Sequence, residues 1–222
     1  NASPFEALEL LCEDLRVASF EPEQVTNFVG TLRSIALYLI DAVERDPDSS
    51  IASIFLNIGE GYAIRHQIHS AVLAVLLTKE MEIPRNQMLS LVCAALTMNL
   101  AFLEYQDHLN TRSGGLTADE RAMISKHSLI GELMLMAAGV VDPLWLDSVK
   151  FHHEQWDGSG YPEALAGDTI PLHAQILQMV DMFSARISVR SWGQKELANA
   201  TMADLLRSTA GNKCNPQLIK AL

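Results

Sequence analysis

The sequence predicts an all-α fold. Apolar residues recur at helical spacing along most of the chain, as in Phe5, Leu8 and Leu11 near the N-terminus. Glycines and prolines gather at a few turns and do not recur at the short intervals typical of β-strands. The chain has 222 residues, of which 49% are hydrophobic, so it can bury one substantial core. We therefore expect one helical domain with, at most, a helical extension.

The N-terminal segment predicts two helices. Its amphipathic pattern runs from Pro4 to about Glu44 and is broken near Phe20-Glu21-Pro22. Residues 46–50 (Asp-Pro-Asp-Ser-Ser) are rich in turn-forming side chains, so a turn is expected there. We place the boundary at this turn, with a helical segment at residues 1–48 and the main domain at residues 49–222.

The first half of the main domain predicts long buried helices. Three segments follow in order: a helix from His66 to Glu80, an apolar helix from Gln87 to Leu103, and a polar loop from Gln106 to Gly115. The apolar run falls short of the roughly 20 residues of a membrane-spanning helix, so no membrane span is expected. Thr117 and Glu120 have the spacing of a capping box, which predicts a helix that carries His127.

The second half alternates helices with one glycine-rich loop. A helix is expected from Pro143 to His153. Residues 157–162 (Asp-Gly-Ser-Gly-Tyr-Pro) cannot continue it, because two glycines and a proline favour turns. Pro171 then precedes a stripe of apolar residues at helical spacing, which predicts a further helix.

Composition excludes several classes of protein. The formal net charge is −11 and no stretch concentrates basic residues, which disfavours binding to nucleic acid polymers. Cys12, Cys93 and Cys214 are far apart, so neither a disulfide framework nor a zinc knuckle is indicated. The chain opens without Met and without a signal segment. We expect an excised part of a longer, cytoplasmic protein.

Four histidines on or beside the predicted helices are candidates for metal ligation, namely His66, His127, His152 and His153. Neutral imidazole is a common ligand of Zn, Fe and Ni ions. Histidines spread this widely could form a site only in three dimensions. Taken singly, a histidine in such a position is more often a structural or surface residue than a metal ligand.

Two polar residues lie inside apolar helices. Asp181 is flanked by Val180 and Met182, where an unpaired carboxylate would be costly to bury, so it needs a cation or hydrogen-bond donors. A helix cap or an Arg partner would also satisfy it. Asn99 presents the same problem with an amide, which is either a structural bridge or part of a pocket wall.

Residues 152–162 (HHEQWDGSGYP) carry a resemblance to a known family. They match the H-H-E-x-x-D-G-x-G-Y-P signature of HD-GYP domains at every defined position. Residues 164–171, 180–185 and 211–216 also resemble that family's G-L-x-G-x-x-I-P, A-D-x-x-D-A and G-x-x-F-D-P stretches, without gaps. Lys126-His127 is similar to its K-H-P. The resemblance covers the chain from about Glu44 to the end.

This resemblance implies an HD-domain-like helical bundle with an N-terminal helical extension. It also implies a centre of two or three iron or manganese ions that hydrolyses cyclic di-GMP. By position, the implied metal ligands are His66, His127, His152, His153 and Asp181. His69 lies one turn after His66 and could take its place.

The chain departs from the family at the residues that give it its name. Aligned without gaps, the H-D pair falls on Met98 and Asn99, so both ligands are missing. Phe102 stands where the family has a lysine that contacts substrate phosphate, and Ser184 replaces the second aspartate of A-D-x-x-D-A. Asn99 and Arg190 remain candidates for substrate binding, and no residue is assigned as catalytic.

Three hypotheses follow for function. The first is a non-catalytic regulatory or interaction module of bacterial cyclic di-GMP signalling. The alternative is a metal-dependent phosphodiesterase with a reduced metal centre, whereas a cyclic di-GMP sensor is a third reading. The pocket would hold either one divalent ion (Fe, Mn, Zn or Ni) or a metal-free polar core. The resemblance suggests diguanylate cyclase-type proteins or cyclic di-GMP as partners. The loop residues that would face such a protein are Asp157, Gly158, Gly160, Tyr161 and Pro162.

Overall fold

The computed structural model describes residues 4–56, 61–111, 116–187 and 212–221. These ranges form helices and no strand, which confirms the predicted all-α class. The first helices are α1 (Pro4–Phe20), α2 (Phe28–Arg45), α3 (Pro47–Leu56), α4 (Tyr62–Glu80), α5 (Arg85–Thr97) and α6 (Leu103–Thr111). They are followed by α7 (Ala118–Ile124), α8 (His127–Ala137), α9 (Pro143–Phe151), α10 (Leu172–Ile187) and α11 (Pro216–Ala221). Short 3-10 turns lie at Pro22–Gln24, Leu100–Phe102 and Gly167–Thr169.

The N-terminal segment contains the two expected helices, but the turn predicted at residues 46–50 was wrong. Those residues begin α3, with Pro47 at its first position. One carboxylate oxygen of Asp46 accepts a hydrogen bond from the Ser49 amide at 3.0 Å, and the other accepts from the Ser49 hydroxyl at 2.7 Å. Side chains that favour turns also favour the N-termini of helices, and here Asp46 and Pro47 start a helix and do not form a turn.

The apolar helix predicted to reach Leu103 ends earlier, at Thr97. The 3-10 turn Leu100–Phe102 follows, and α6 occupies most of the segment that was predicted to be a polar loop. Residues 112–115 of that segment lie outside the described residues. Residues 98 and 99, where the family carries its H-D pair, therefore lie at a break between two helices.

The core is centred on α4 and α5, which pack against each other. α10 and α2 pack against both, and α9 packs against α5, α8 and α10. One stretch, Arg85–Leu109, is apolar and long enough to cross a membrane, but 61% of its apolar window is buried inside the fold. Burial of this kind is typical of a core helix, so the stretch does not establish a membrane span. Helices from both sides of residue 48 contribute to one core, and the boundary at that residue stays a prediction.

Two capping arrangements position the helices that carry the histidines. The predicted capping box is confirmed, because Thr117 and Glu120 exchange hydrogen bonds at the start of α7. That helix ends at Ile124, however, and His127 begins the next one. Asp142 caps α9, and the Trp145 indole donates a buried hydrogen bond of 2.8 Å to the Thr97 hydroxyl. This bond ties α9 to the end of α5, beside residues 98 and 99.

A candidate three-histidine metal centre

Three of the predicted ligands meet at one point. His127 is the first residue of α8, and His152 and His153 directly follow the last residue of α9. Their candidate ligand atoms lie within 4.8 Å of one another. The ring centroids are 5.2 Å apart for His127 and His152, 4.8 Å for His127 and His153, and 4.1 Å for His152 and His153. Packing of α8 against α9 brings together residues that are 25 positions apart.

Two of these rings are held by the backbone in the same way. The Nδ1 atom of His127 lies 2.5 Å from the Ile124 carbonyl oxygen, and that of His152 lies 2.7 Å from the Val149 carbonyl oxygen. Each carbonyl is three residues earlier in the chain, at the end of the preceding helix. Both Nε2 atoms point into the cluster, where they are 3.2 Å apart.

His153 is held by ring contacts. Its ring is stacked on Tyr161, with centroids 4.8 Å apart and 28° between the planes. It meets His127 edge-on. Tyr161 belongs to the glycine-rich loop, and its backbone amide also donates to the His153 carbonyl oxygen at 3.2 Å. The loop therefore contacts the third histidine directly.

Burial keeps these imidazoles neutral. It lowers the pKa of His152 to about 4 and, together with the nearby His152, His127 and His66, lowers the pKa of His153 well below its usual value. Burial also lowers the pKa of His127. A neutral imidazole has a free lone pair, which ligation to a metal requires. At neutral pH the cluster is thus in the protonation state of a ligand set.

The other two predicted ligands form a separate pair. Nε2 of His66, on α4, lies 2.8 Å from a carboxylate oxygen of Asp181, on α10. The His66 side chain is 1% exposed and that of Asp181 is 17% exposed. Burial alone would raise the pKa of Asp181, but the hydrogen bond with His66 and the nearby imidazoles of His66, His153 and His152 outweigh it and hold that pKa far below the usual range. The carboxylate of Asp181, which lies within an apolar helix, therefore has the hydrogen-bond partner that its position requires.

Ser184 completes this pair from the other side. Its hydroxyl lies 3.1 Å from Nδ1 of His66, and Tyr62 stacks on the same ring at 5.7 Å. The order Ser184–His66–Asp181 has the composition of a hydrolase triad. Ser184 is completely buried, however, so no substrate can reach its oxygen. We interpret the arrangement as a brace that fixes the His66 ring.

His69 does not join the three converging histidines. It is 1% exposed and is not among the three histidines whose ligand atoms converge. Burial, with the charges of His66 and Arg65, lowers its pKa to about 3. Arg190 lies outside the described residues, so its predicted contact with substrate stays an expectation.

The positions of the missing H-D pair are filled by residues of a different character. The Met98 side chain is completely buried among the apolar residues of the core. Asn99 is also buried and begins the 3-10 turn Leu100–Phe102, with no hydrogen bond from its side chain to that turn. Phe102, in place of the lysine, lies with its ring centroid 5.5 Å from that of His127. An aromatic ring thus stands beside the cluster where the family has a cation.

The glycine-rich loop is anchored by a buried carboxylate. Glu154 is 1% exposed and accepts hydrogen bonds from the amides of Glu163 at 2.6 Å and Leu165 at 2.9 Å. A Cβ on Gly160 would lie 2.5 Å from the His153 carbonyl oxygen, so only glycine fits there. Asp157 and Ser159 are exposed at the tip of the loop.

Sequence reasoning missed some of the residues that shape this site. The carboxylate of Asp107 accepts a hydrogen bond of 2.8 Å from the Ala63 amide, in the first turn of the helix that carries His66. Nothing in the sequence near Asp107 indicates this contact across 44 positions. Tyr161 was noted as a loop residue, but its stacking on His153 was not predicted. Ser184 was noted only as the loss of an aspartate.

Acid should destabilise this fold through its buried histidines. In the unfolded chain His69 has a pKa near 6.5, whereas in the folded protein its pKa is about 3. Below pH 6.5 the unfolded chain therefore binds a proton at His69 that the folded protein does not. The contribution of His69 to the free energy of unfolding is thus greatest above pH 6.5 and decreases as the pH falls toward 3. At pH 5 the loss through this residue is about 2 kcal/mol. The free energy of unfolding, measured in urea at pH 7.5 and at pH 5, should fall between the two pH values by about 2 kcal/mol more in wild type than in His69→Gln. Equal losses would contradict the assignment.

Comparison with known proteins identifies the family. The model of the HD domain family matches residues 29–218. A cyclic di-GMP phosphodiesterase of Pseudomonas aeruginosa is 27% identical over 96% of this chain and 52% of its own length. The cyclic di-GMP phosphodiesterase response regulator RpfG of Xanthomonas campestris is 29% identical over 67% of this chain and 39% of its own length. The chain spans about half, or less, of the length of these relatives.

A solved structure supports the same fold. An HDG"Y"P protein from Bdellovibrio bacteriovorus aligns with a TM-score of 0.80 and 15% sequence identity, covering 98% of this chain and 69% of that one. At this identity the likeness is evidence for the fold alone. Together with the family match over most of the chain and the HHEQWDGSGYP motif, it shows that this chain belongs to the HD domain family and is of the HD-GYP type.

Proposed function

We propose that this chain is a non-catalytic regulatory or interaction module of cyclic di-GMP signalling, derived from an HD-GYP phosphodiesterase and acting in the cytoplasm. Its membership of the HD domain family supports the link to this chemistry, since the relatives described above are named as cyclic di-GMP phosphodiesterases. The loss of catalysis is inferred from the residues of this chain.

The observation that supports the proposal most strongly is that Met98 stands where the family has a histidine. The family's H-D pair places a histidine there, whereas Met98 offers only a soft thioether, and its side chain is completely buried in the apolar core. Asn99 carries no negative charge with which to bridge two cations. Asp181, the remaining carboxylate, is hydrogen-bonded to His66. Two-metal hydrolysis stabilises both the attacking and the leaving oxygen, and these residues supply no bridge for a second ion.

The glycine-rich loop is the surface that we propose for a protein partner. It keeps the complete motif, and Glu154 fixes its backbone from within. Its exposed tip would contact a diguanylate cyclase-type protein, by analogy with the family. Cyclic di-GMP itself is the proposed small-molecule ligand, with Asn99 and Arg190 as candidate contacts.

A second candidate is a phosphodiesterase with a reduced, single-metal centre. The convergence of His127, His152 and His153 favours it, because a pure scaffold has no need of three neutral imidazoles, two of them buried, at one point. A bound divalent ion would supply Lewis-acid stabilisation of a phosphate oxygen. Phe102 in place of a lysine weighs against tight binding of that phosphate.

Turnover of cyclic di-GMP separates the two candidates. Protein loaded in turn with Fe(II), Mn(II), Zn(II) and Ni(II) should release no linear dinucleotide above the level of a protein-free control. The P. aeruginosa relative, assayed alongside, provides the positive control. Metal-dependent hydrolysis that His152→Ala eliminates would overturn the proposal and establish the second candidate.

A further inference from the structure

Helix α8 is apolar on its outer side as well as on its inner side. From Leu129 to Ala137 its sequence contains one charged residue, Glu132. Its inner side, which includes Leu135, is buried where α8 packs against α9 and the turn Leu100–Phe102. A helix that is hydrophobic all round is typically buried all round. The outer side of α8, however, is exposed in the single chain.

The outer side of α8 presents large apolar side chains to solvent. Their exposed fractions range from 40% for Leu129 to 57% for Leu133. Together they expose roughly 500 Å² of apolar surface, which is as much as the largest patch on a typical monomer. We call this surface the α8 ridge, and it consists of Leu129, Ile130, Leu133, Met134 and Met136.

An apolar groove lies beside the α8 ridge. Its volume is about 590 Å³, so it can accept side chains of the size of Leu or Met. Ile130 and Met134 line the groove and also belong to the ridge, so the two form one continuous surface. The other apolar side chains of its lining come from the end of α1, the turn Leu100–Phe102 and α6, and they include Phe20, Leu100, Phe102 and Tyr105.

A surface with a ridge beside a groove is complementary to a copy of itself. A two-fold axis between the two features places the ridge of each copy in the groove of the other, so the same patch serves both partners. Each contact is then made twice. Ridge and groove together bring the covered area close to the roughly 800 Å² per partner of a stable protein interface.

The charge of the chain favours a second copy over a membrane as the partner of this surface. The formal net charge is −11, which repels anionic lipids, whereas helices that lie on membranes carry basic residues beside their apolar face. Two copies of an acidic chain also repel each other. The α8 ridge itself carries no charge, so contact there brings few like charges together.

We propose that the α8 ridge and the adjacent groove form a two-fold interface between two copies of this chain. Leu133 and Met136, the two most exposed side chains of the ridge, are seated in the groove of the other copy. Phe102 lines that groove and lies beside His127, so the interface adjoins the histidine cluster. This inference does not depend on the proposed loss of catalysis.

Sedimentation equilibrium of the 222-residue chain over a range of concentrations provides the first test. Wild type should form dimers, and Leu133→Lys should raise the dimer dissociation constant by about 30-fold or more, because it places a charge in the centre of the interface. Leu37→Lys is the matched control, since Leu37 is 42% exposed on α2, which contributes no residue to the groove. It should leave the dissociation constant unchanged. Added salt should tighten the dimer by screening the repulsion between two acidic chains.

Cross-linking tests the geometry of the interface. The three native cysteines are buried, so an introduced cysteine is the accessible one. A mixture of Leu133→Cys and Ser19→Cys proteins, treated with a short bis-maleimide, should give more cross-linked dimer than either protein alone, because Ser19 lines the groove. Equal cross-linking of Leu133→Cys with itself would overturn the proposed seating of ridge in groove.

A chain that stays monomeric at every concentration would overturn the proposal as a whole. Cosedimentation of that monomer with vesicles of phosphatidylglycerol and phosphatidylethanolamine, lost in Leu133→Lys, would assign the α8 ridge to a membrane surface. Wild-type dimers that Leu133→Lys leaves intact would place the contact elsewhere on the chain and equally contradict the proposal. Because Leu133 is exposed, its variants should keep the melting temperature of the folded chain.

Discussion

His152→Ala combined with His153→Ala is expected to abolish metal uptake. The double variant removes two of the three converging imidazoles, and His127 alone cannot hold an ion against water. Free metal at 100 times its dissociation constant stabilises a protein by about 2.7 kcal/mol. For a chain of this size that corresponds to roughly 5–11 °C in melting temperature. The variant should lose this whole response.

Elemental mass spectrometry, on protein purified without a histidine tag or chelator, provides the measurement. Wild type should carry close to one metal per chain and the double variant essentially none. His173→Ala is a matched control, because His173 is partly buried on α10 and contacts Gln87, away from the cluster. It should leave the metal content unchanged. An unchanged metal content in the double variant would rule out this site.

The periodicity of the sequence predicted most of the helices because their buried faces are long and regular. It failed where one residue type serves two local structures. Asp46 and Pro47 favour both turns and helix starts, and only packing of α3 on α1, α2 and α4 selects the second. Residues 106–111 were assigned to a loop because they are polar, although an exposed helix can be polar on most of its surface.

The sequence predicted which residues belong to the site, but not which of them contact one another. The resemblance identified all three converging histidines by position, His152 and His153 through the HHEQWDGSGYP motif and His127 through the K-H-P match. Whether His66 and Asp181 join them depends on distances across 115 positions of the chain, which sequence spacing does not contain. The contact between His66 and Ser184 spans 118 positions and is equally invisible. Sequence alone therefore supported five ligands, where the contacts divide them into three and two.

Restoring the lost pair is expected to change both stability and metal content. Met98→His combined with Asn99→Asp places an imidazole and a carboxylate in positions that are now buried. Without metal, an unpaired buried carboxylate costs several kcal/mol, so the melting temperature of the metal-free variant should fall well below that of wild type. With Mn(II) or Fe(II) present, the carboxylate gains a cation, and the melting temperature should recover.

Metal content distinguishes this expectation from simple damage to the core. The restored variant should bind more than one equivalent of Mn(II) or Fe(II), whereas wild type should bind at most one. Met98→Leu is the matched control for repacking, because it changes the shape of residue 98 without adding a ligand and should leave metal binding as in wild type. If occupancy of the restored variant stays at the wild-type level, residues 98 and 99 do not face the cluster even when they carry ligands. The break between α5 and the turn Leu100–Phe102 would then have moved the ancestral metal site beyond the reach of two substitutions.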